Sequence, residues 1–211
     1  MTFLMAAMLV GGLTGLDGTY HESRSGQQEG QGVQKAAAAG KSTMKVHYID
    51  VGQGSAVLVQ SGVHFMLIDG GDSDASSKVV SYLKRQKVKK LDYVVVSHYD
   101  SDHLNGVVGA LNVFKVKRVI APAYTADSRV YESYCNIIAQ KKIATTRPKV
   151  GKKYKLGKAR FTILAPNSSG YVDENNYSIA LKLVNGKNRF VITGDAETES
   201  EYEMVENGQN L

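Results

Sequence analysis

The chain has 211 residues, of which 43% are hydrophobic and 22% charged, a composition typical of one folded domain with a tail. No apolar run is long enough for a full transmembrane helix, and the single cysteine, Cys135, excludes an internal disulfide and a cysteine-rich zinc module. The net charge of +6 is uneven, because residues 75–160 contain nineteen basic and five acidic residues. This basic middle indicates either a solvated lysine-rich face or an anionic partner.

The first 43 residues differ from the rest in composition. Thr2–Leu16 is short and apolar, similar to the hydrophobic region of a signal peptide or the end of a membrane segment. Residues 18–42 are rich in Gly, Gln, Ser and Ala, which is typical of a flexible linker. We therefore predict a leader and linker over 1–43, a folded domain over 44–211, and export or membrane tethering through the N-terminus. The alternative is a cytoplasmic protein whose first residues are a cloning or gene-model remnant.

The folded part is predicted to mix strands and helices. Hydrophobic patterns predict strands over 45–50, 55–60, 63–69, 91–97 and 118–121, and helices over 76–86, from near His103 or Leu104, and over 130–140. Further along, strands over 154–164 turn at Gly157, strands over 176–184 and 189–193 flank Asn185-Gly186, and an acidic helix covers 197–206. Hairpins at both ends, with mixed elements between them, indicate a layered α/β fold.

The stretch Ser97–Gly106, S-H-Y-D-S-D-H-L-N-G, is the most informative part of the sequence. It places two imidazoles and two carboxylates directly after a buried strand: His98, Asp100, Asp102 and His103. Such nitrogen and oxygen ligands suit zinc, and the oxygen-rich set also admits manganese or iron. Because α/β folds build sites at the carboxyl ends of strands, the pattern favours a divalent-metal site. The alternative is that these residues only cap the strand and the helix.

Two further aspartates follow predicted strands. Asp69 precedes Gly70-Gly71, and Asp195 stands in the T-G-D after the strand over 189–193. Each one alone is typical of an aspartate that forms a turn. Together with the histidine cluster, they predict that carboxylates from three strand ends converge on one pocket.

Three stretches, F-M-L-I-D-G-G, S-H-Y-D-S-D-H-L-N-G and V-I-T-G-D-A-E, resemble in order and spacing the motifs of the metallo-β-lactamase superfamily. Within it, D-V-G-Q-G-S at Asp50–Ser55 and N-N-Y-S-I-A-L-K-L at Asn175–Leu183 are similar to the domain of ComEC-type DNA-uptake proteins and of free-standing exported relatives. The similarity covers roughly residues 44–206. It implies an α/β fold, an αββα sandwich with a metal site at one edge.

The resemblance implies a role for each matching residue. The H-x-H-x-D-H positions fall on His98, Asp100, Asp102 and His103, with Asp100 in place of the middle histidine. Asp195 matches the aspartate that bridges two metals, so one ion would use His98, Asp100 and Asp195 and another Asp102, His103 and Asp195. One or two divalent ions are thus expected, with zinc favoured and manganese as the alternative.

Other positions are implied to assist or are missing. Asp69 matches a buried aspartate that supports the ligand loop without binding metal. No histidine follows His103, and the third motif offers Asn176 and Ser178 instead, which we expect to contact substrate. The last-motif histidine would lie beyond Leu211, so we expect the domain to be incomplete at its C-terminus.

These residues predict a metal-dependent hydrolase that uses a metal-activated water, with Asp102, His103 and Asp195 as catalytic residues. The expected substrate is a phosphodiester in DNA, and the resemblance implies a role in DNA uptake. Basic runs at 84–90, 115–118 and 141–158 would contact phosphates, unless they serve solubility alone. Tyr99, Tyr124, Tyr131 and Tyr134 would stack on bases or pack in the core. The alternatives are a hydrolase of a lactone, thioester or β-lactam, and a non-catalytic nucleic-acid-binding module with an incomplete site.

Overall fold

The computed structural model describes residues 43–208, so the predicted leader and the predicted linker over 18–42 lie outside the described residues. The elements in chain order are β1 (Met44–Tyr48), β2 (Val57–Ser61), β3 (His64–Ile68), α1 (Ser76–Arg85), β4 (Lys90–Leu91), β5 (Tyr93–Val95), α2 (Ser101–Val113), β6 (Lys115–Val116), β7 (Val119–Ile120), α3 (Arg129–Lys141), β8 (Thr145–Thr146), β9 (Lys153–Leu156), β10 (Ala159–Ile163), β11 (Leu181–Asn185), β12 (Asn188–Ile192) and α4 (Thr198–Glu206). None of the helices in this range has the length and hydropathy that a membrane crossing requires.

Two sheets organise these elements. The larger sheet has the strand order β1-β2-β3-β5-β7-β8, antiparallel from β1 to β3 and parallel from β3 to β8. The smaller sheet, β12-β11-β10-β9, is antiparallel throughout. A short parallel pair, β4 and β6, precedes β5 and β7 along the chain. Antiparallel hairpins therefore occur at both ends of the domain, as predicted.

Side-chain alternation along the larger sheet gives it two buried faces. In β3, Leu67 packs in the core that includes α1, α2 and α3, whereas Met66 and Ile68 belong to the core between the two sheets. The smaller sheet contributes Phe161 and Leu183 to this second core. The helices, the larger sheet and the smaller sheet therefore form three successive layers.

Helix α4 supplies the fourth layer. Its Met204 packs against Leu164 and Ala180, while their chain neighbours Ile163 and Leu181 face the core between the sheets. Helix α4 consequently lies on the outer side of the smaller sheet, at one end of β10 and β11. The order helix, sheet, sheet, helix confirms the predicted αββα sandwich.

Helix α2 begins at Ser101, two residues before the predicted start at His103. Asp100 takes the N-cap position, where its backbone carbonyl accepts hydrogen bonds from the N–H groups of His103 and Leu104 at 3.1 and 2.9 Å. Its side chain makes no capping hydrogen bond, although aspartate is preferred at this position for that bond. The Asp100 carboxylate is therefore available for another role, and Asp102 lies in the first helical turn.

Two predicted strands are shorter than expected. The run over 91–97 is divided at Asp92, whose buried carboxylate accepts hydrogen bonds from His64 Nδ1 at 3.0 Å and the Phe65 N–H at 3.3 Å. The strand predicted from residue 176 begins only at Leu181, because Glu174–Tyr177 forms a 3₁₀ turn. The predicted run over 91–97 is thus divided between β4 and β5, and the predicted strand from residue 176 loses its first residues to the turn.

Candidate metal centre

The proposed ligands and their support lie after three strands. Asp69 follows β3, and His98 comes shortly after β5, which lies parallel beside β3. Asp195 follows β12 of the smaller sheet, and the Ile179 N–H joins the two sheets nearby by donating to the Ser97 carbonyl at 2.9 Å. The site therefore lies at one edge of the sandwich and draws side chains from both sheets.

All five predicted ligands converge. Ligand atoms of His98, His103 and Asp195 lie within 4.8 Å of one another. His98 Nε2 is 3.6 Å from Asp100 Oδ2, whereas His103 Nε2 is 3.2 Å from Asp195 Oδ2 and 3.9 Å from Asp102 Oδ2. This grouping is compatible with the two predicted ligand sets.

Both imidazoles are buried, and neither Nε2 atom has a partner in hydrogen-bond geometry among the described residues. An unpartnered buried polar atom costs free energy, so these nitrogens fit a ligand that the adjacent carboxylates also bind. A divalent cation meets both requirements, since imidazole nitrogen and carboxylate oxygen are the donors that zinc and manganese accept. The residues present therefore fit a divalent metal.

A hydrogen-bond network behind the imidazoles orients them. The buried Asp69 carboxylate accepts from the Ser97 N–H at 2.8 Å and from the Ser97 hydroxyl at 2.7 Å, and it lies 3.1 Å from His103 Nδ1. Because the single Ser97 hydroxyl proton points to Asp69, Ser97 Oγ must accept from His98 Nδ1, 3.0 Å away. This network assigns a proton to Nδ1 of each imidazole and directs each Nε2 toward the carboxylates.

Close backbone packing fixes the loop that carries Asp69. A Cβ atom on Gly106 would lie 1.8 Å from the Gly70 carbonyl oxygen, so glycine permits this approach of loop and helix. The Gly70 N–H donates to the His103 carbonyl at 2.8 Å. Asp69 itself has φ +56°, in the left-handed region that few non-glycine residues adopt. The loop is thus held against α2 with the Asp69 carboxylate at His103.

The structure gives Asn176 and Ser178 other roles than the expected substrate contact. Both side chains are buried. Asn176 Oδ1 accepts hydrogen bonds from the N–H groups of Glu197 and Ser200 at 3.1 and 3.3 Å, so it caps the N-terminus of α4. Ser178 Oγ accepts from the Asp195 N–H at 3.2 Å and lies 3.3 Å from His98 Nδ1. Asn176 is therefore a helix cap, and Ser178 supports two of the proposed ligands.

The two imidazoles differ in protonation. Burial, followed by the neighbouring His103, lowers the pKa of His98. Burial also lowers the pKa of His103, but contacts with Asp195 and Asp69 outweigh it and raise this pKa to about 10. The contact with His103 in turn lowers the pKa of Asp195. At neutral pH the metal-free site therefore has a neutral His98, a protonated His103 and an ionised Asp195.

Sequence reasoning missed Gln53. Its Nε2 donates to Asp102 Oδ2 at 3.1 Å, the oxygen that also faces His103 Nε2. The loop reaches this position because Gly54 has φ +85° and a Cβ atom there would lie 1.8 Å from the Asp102 carbonyl oxygen. The signal was present in the D-V-G-Q-G-S motif, where glycines flank an exposed amide.

A cleft of about 350 Å³ opens beside the proposed ligands. Its lining includes four carboxylates: Asp100, Asp102, Asp127 and Glu174. Tyr99 also lines it, and the Tyr99 ring contacts those of Tyr124 and Tyr131 at centroid distances of 4.8 and 4.6 Å. Because Tyr99 and Tyr134 are buried, these two rings pack in the core, while Tyr124 and Tyr131 are only half-buried.

Several predicted phosphate-contacting lysines lie away from this cleft. Lys90 and Lys115 are paired across β4 and β6, which precede the strands leading to the site, so they lie near the opposite edge of the sheet. Lys141 Nζ donates to the carbonyls of Leu111 and Asn112 at 2.8 and 2.6 Å and thereby caps the end of α2. These lysines therefore do not form the walls of the metal centre.

A family model described as the Metallo-beta-lactamase superfamily matches residues 49–209. The match covers most of the chain, and the αββα fold agrees with it, so the chain belongs to the metallo-β-lactamase superfamily. Members of this superfamily are generally metal-dependent hydrolases, and the fold implies a divalent metal. The family predicted from the motifs is thus confirmed.

Three curated relatives are similar over about three quarters of the chain. They are Recombination protein 2 of Haemophilus influenzae (28% identical, 76% of this chain), ComE operon protein 3 of Bacillus subtilis (27%, 76%) and Competence protein ComA of Neisseria gonorrhoeae (29%, 74%). The aligned regions are 19%, 23% and 20% of those proteins, so the chain spans about a fifth of their length. The similarity to competence proteins that the motifs predicted is confirmed.

Solved structures show the same fold. The metallo-β-lactamase fold protein YhfI from Bacillus subtilis is 21% identical with a TM-score of 0.52, covering 72% of this chain and 62% of its own. A metallo-β-lactamase motif mutant from Cronobacter sakazakii is 14% identical with a TM-score of 0.51, covering 70% and 60%. At these identities the likeness concerns the fold alone.

Proposed function

We propose that this domain is a metal-dependent phosphodiesterase that acts on DNA. Its one or two divalent ions would be held by His98, Asp100, Asp102, His103 and Asp195, with zinc favoured over manganese. The observation that carries the proposal is the convergence of two buried imidazoles with carboxylates, with ligand atoms of His98, His103 and Asp195 within 4.8 Å of one another. Relatives named for recombination and competence support DNA as the substrate.

The residues at the cleft have separable tasks under this proposal. Asp195 is half-exposed, and its lowered pKa keeps the carboxylate ionised, so it can accept a hydrogen bond from an attacking water. Asp69 and Ser97 fix the imidazole orientation, and Ser178 holds the Asp195 backbone and His98. When bound, a divalent ion lowers the pKa of water and polarises a phosphodiester oxygen.

Metal analysis combined with a nuclease assay tests the proposal. Metal-stripped protein is supplied with zinc or manganese and incubated with single- and double-stranded DNA, alongside His103→Ala and Asp195→Asn. We expect metal-dependent cleavage by the wild type and a loss of roughly a hundredfold or more in both variants, because each change removes a ligand. Cleavage that persists in EDTA, or unchanged in Asp195→Asn, contradicts the proposal.

A non-catalytic nucleic-acid-binding module is the second candidate. One observation favours it: residues 104–208 contain no histidine, so only His98 and His103 supply imidazole to a site that is proposed to hold up to two ions. DNA binding without cleavage under every divalent metal would favour this candidate. Cleavage of a lactone, thioester or β-lactam, with DNA left intact, would favour a small-molecule hydrolase.

Domain organisation and location form part of the same proposal. We assign the hydrolase to residues 44–211 and an export or tethering signal to residues 1–43. Fractionation of cells that produce the full chain, compared with a chain starting at Met44, tests this assignment. Recovery of both chains in the cytoplasm contradicts it.

A further inference from the structure

The outer surface of the smaller sheet has a charge pattern that the metal centre does not use. Tyr154, Phe161 and Leu183 point into the core between the sheets, so the alternate residues of these strands point outward. We call these outward residues the outer face: Lys153, Lys155, Arg160, Thr162, Lys182, Val184, Arg189 and Val191. Strand register brings them into two adjacent rows.

The outer face is entirely cationic in its charged residues. Five of its eight residues are Lys or Arg, and β9, β10, β11 and β12 contain no Asp or Glu. Lys155 stands directly opposite Arg160, an arrangement that destabilises a sheet through like-charge repulsion. None of the five forms an ion pair with a carboxylate among residues 43–208. Stability of the sheet alone therefore does not favour this pattern.

The cationic part of the outer face is accessible within the described chain. Lys153, Lys155, Arg160 and Arg189 are exposed, and Lys182 is half-buried. The acidic helix α4 packs through Met204 on Leu164 and Ala180, beyond the end of the two rows. The positive charges are thus displayed together, without a neutralising partner from α4.

The chemistry of the outer face selects its partner. A protein partner generally needs apolar or aromatic residues at the centre of the interface, and this face offers two valines and no aromatic ring. Regularly spaced cations suit regularly spaced phosphates, which are contacted without reading sequence. Charge complementarity therefore favours the backbone of a nucleic acid.

The position of the outer face links it to the metal centre. Strand β12 carries Arg189 and ends three residues before Asp195, so at most about 20 Å of chain separates these two residues. In a duplex, where one strand advances about 3.4 Å per nucleotide along the axis, roughly six nucleotides cover that distance. We propose that the outer face binds the sugar-phosphate backbone of the nucleic acid that the metal centre cleaves. This inference rests on the proposed function.

Charge-reversal variants distinguish a local contribution of the outer face to DNA binding from a general effect of the net charge. The test variant is Arg160→Glu/Lys182→Glu/Arg189→Glu, and the matched control is Lys84→Glu/Lys89→Glu/Lys90→Glu, which changes the net charge equally on exposed residues elsewhere. Anisotropy of a labelled single-stranded 20-mer in EDTA gives the affinity at several salt concentrations. We expect the test variant to bind about tenfold more weakly or worse, with a salt slope reduced by about 2, since each lost contact removes about 0.7. The control should change less than twofold.

Substrate length distinguishes failure of this inference from failure of the proposed function. Both triple variants should hydrolyse bis(4-nitrophenyl) phosphate like the wild type, while only the test variant should lose activity on the 20-mer. Wild-type protein that binds the 20-mer but cleaves neither substrate refutes the proposed activity and leaves the outer face supported. Equal loss of binding in both variants overturns the inference. It is also overturned if the test variant binds DNA normally but abolishes self-association or binding to anionic vesicles.

Discussion

Two groups approach the same carboxylate oxygen of Asp102. Gln53 Nε2 donates to Oδ2 at 3.1 Å, and His103 Nε2 lies 3.9 Å from it. A carboxylate oxygen has two lone pairs, so the Gln53 amide occupies one of them and the other can still bind a metal. Gln53 therefore restricts rotation of the Asp102 side chain, which lies in the first turn of α2.

We predict that Gln53→Ala weakens metal binding by about 10- to 100-fold, because hydrogen-bond partners of metal ligands commonly contribute this much. The measurement is a competition titration with zinc and a chromophoric chelator. Gln60→Ala is the matched control, since the Gln60 amide donates only to the nearby Gly62 carbonyl. Equal affinity in the two variants would show that Gln53 does not position Asp102.

The proton on His103 predicts how metal binding depends on pH. Asp195 and Asp69 raise the pKa of His103 to about 10, against the effect of burial, so a metal must displace a proton below that pH. The pKa of His98 is lowered, so that imidazole is already neutral at pH 7. We expect the affinity of the ion that binds His103 to rise about tenfold per pH unit between pH 7 and 9. Titrations at pH 7, 8 and 9 measure this slope, and a flat profile refutes it.

At the scale of elements, the start of α4 depends on one buried amide. Asn176 Oδ1 accepts from two N–H groups of the first turn, a capping arrangement supplied from the preceding loop. Asn175, its neighbour, makes a single exposed contact with Glu197 Oε1. The same substitution can therefore be compared at a buried asparagine, Asn176, and at a half-buried one, Asn175.

We predict that Asn176→Ala lowers the free energy of unfolding by about 1–3 kcal/mol, because buried donors lose their acceptor. Asn175→Ala should change it by less than about 0.5 kcal/mol. Urea denaturation of both variants measures the difference. A large rise in KM for DNA with unchanged stability in Asn176→Ala would instead restore the substrate-contact role.

The hydrophobic pattern predicted which segments form helices and which form strands, whereas polar side chains determined where these elements begin and end. Periodicity identified α1, α3 and the hairpins, because burial of one face is a local property of sequence. The start of α2 was missed because Asp100 caps through its backbone while its carboxylate turns to His98. In the last hairpin Asn185 pairs with Asn188, so the turn is Gly186-Lys187 and not Asn185-Gly186. The register of the two strands therefore decides which residues form the turn.

At the scale of the whole molecule, motifs predicted the proposed ligands and the supporting Asp69, but not the contacts of Gln53 and Asn176. Four of the five proposed ligands lie in one short motif, where spacing alone indicates their chemistry. The contact of Gln53 with Asp102 and the helix-capping role of Asn176 join segments far apart in the chain. Such contacts arise only when distant segments have folded together, so a single sequence without the fold does not show them.

Metal binding should stabilise the whole domain. A ligand that binds only the folded state at a hundred times its Kd adds about 2.7 kcal/mol. For a domain of this size we expect the melting temperature to rise by about 5–10 °C with saturating zinc or manganese and to return in EDTA. Asp195→Asn removes a proposed metal ligand, so its melting temperature should rise much less. The Asp195 side chain is half-exposed. Thermal melts of the wild type and of Asp195→Asn, each with saturating metal and with EDTA, test this.

The proposed ligands come from both sheets, and this has a mechanical consequence. His103 belongs to the helix on the larger sheet, Asp195 follows the last strand of the smaller one, and the sheets meet here where Gly194 packs against Ser97. An ion shared by His103 and Asp195 is therefore a cross-link over the seam between two halves of the sandwich. Amide protons of β11 and β12 should exchange with solvent more slowly when it is present. Without the ion, we expect local opening of the fold to begin at this edge. The same opening would separate His103 from Asp195, so the site would be lost with it.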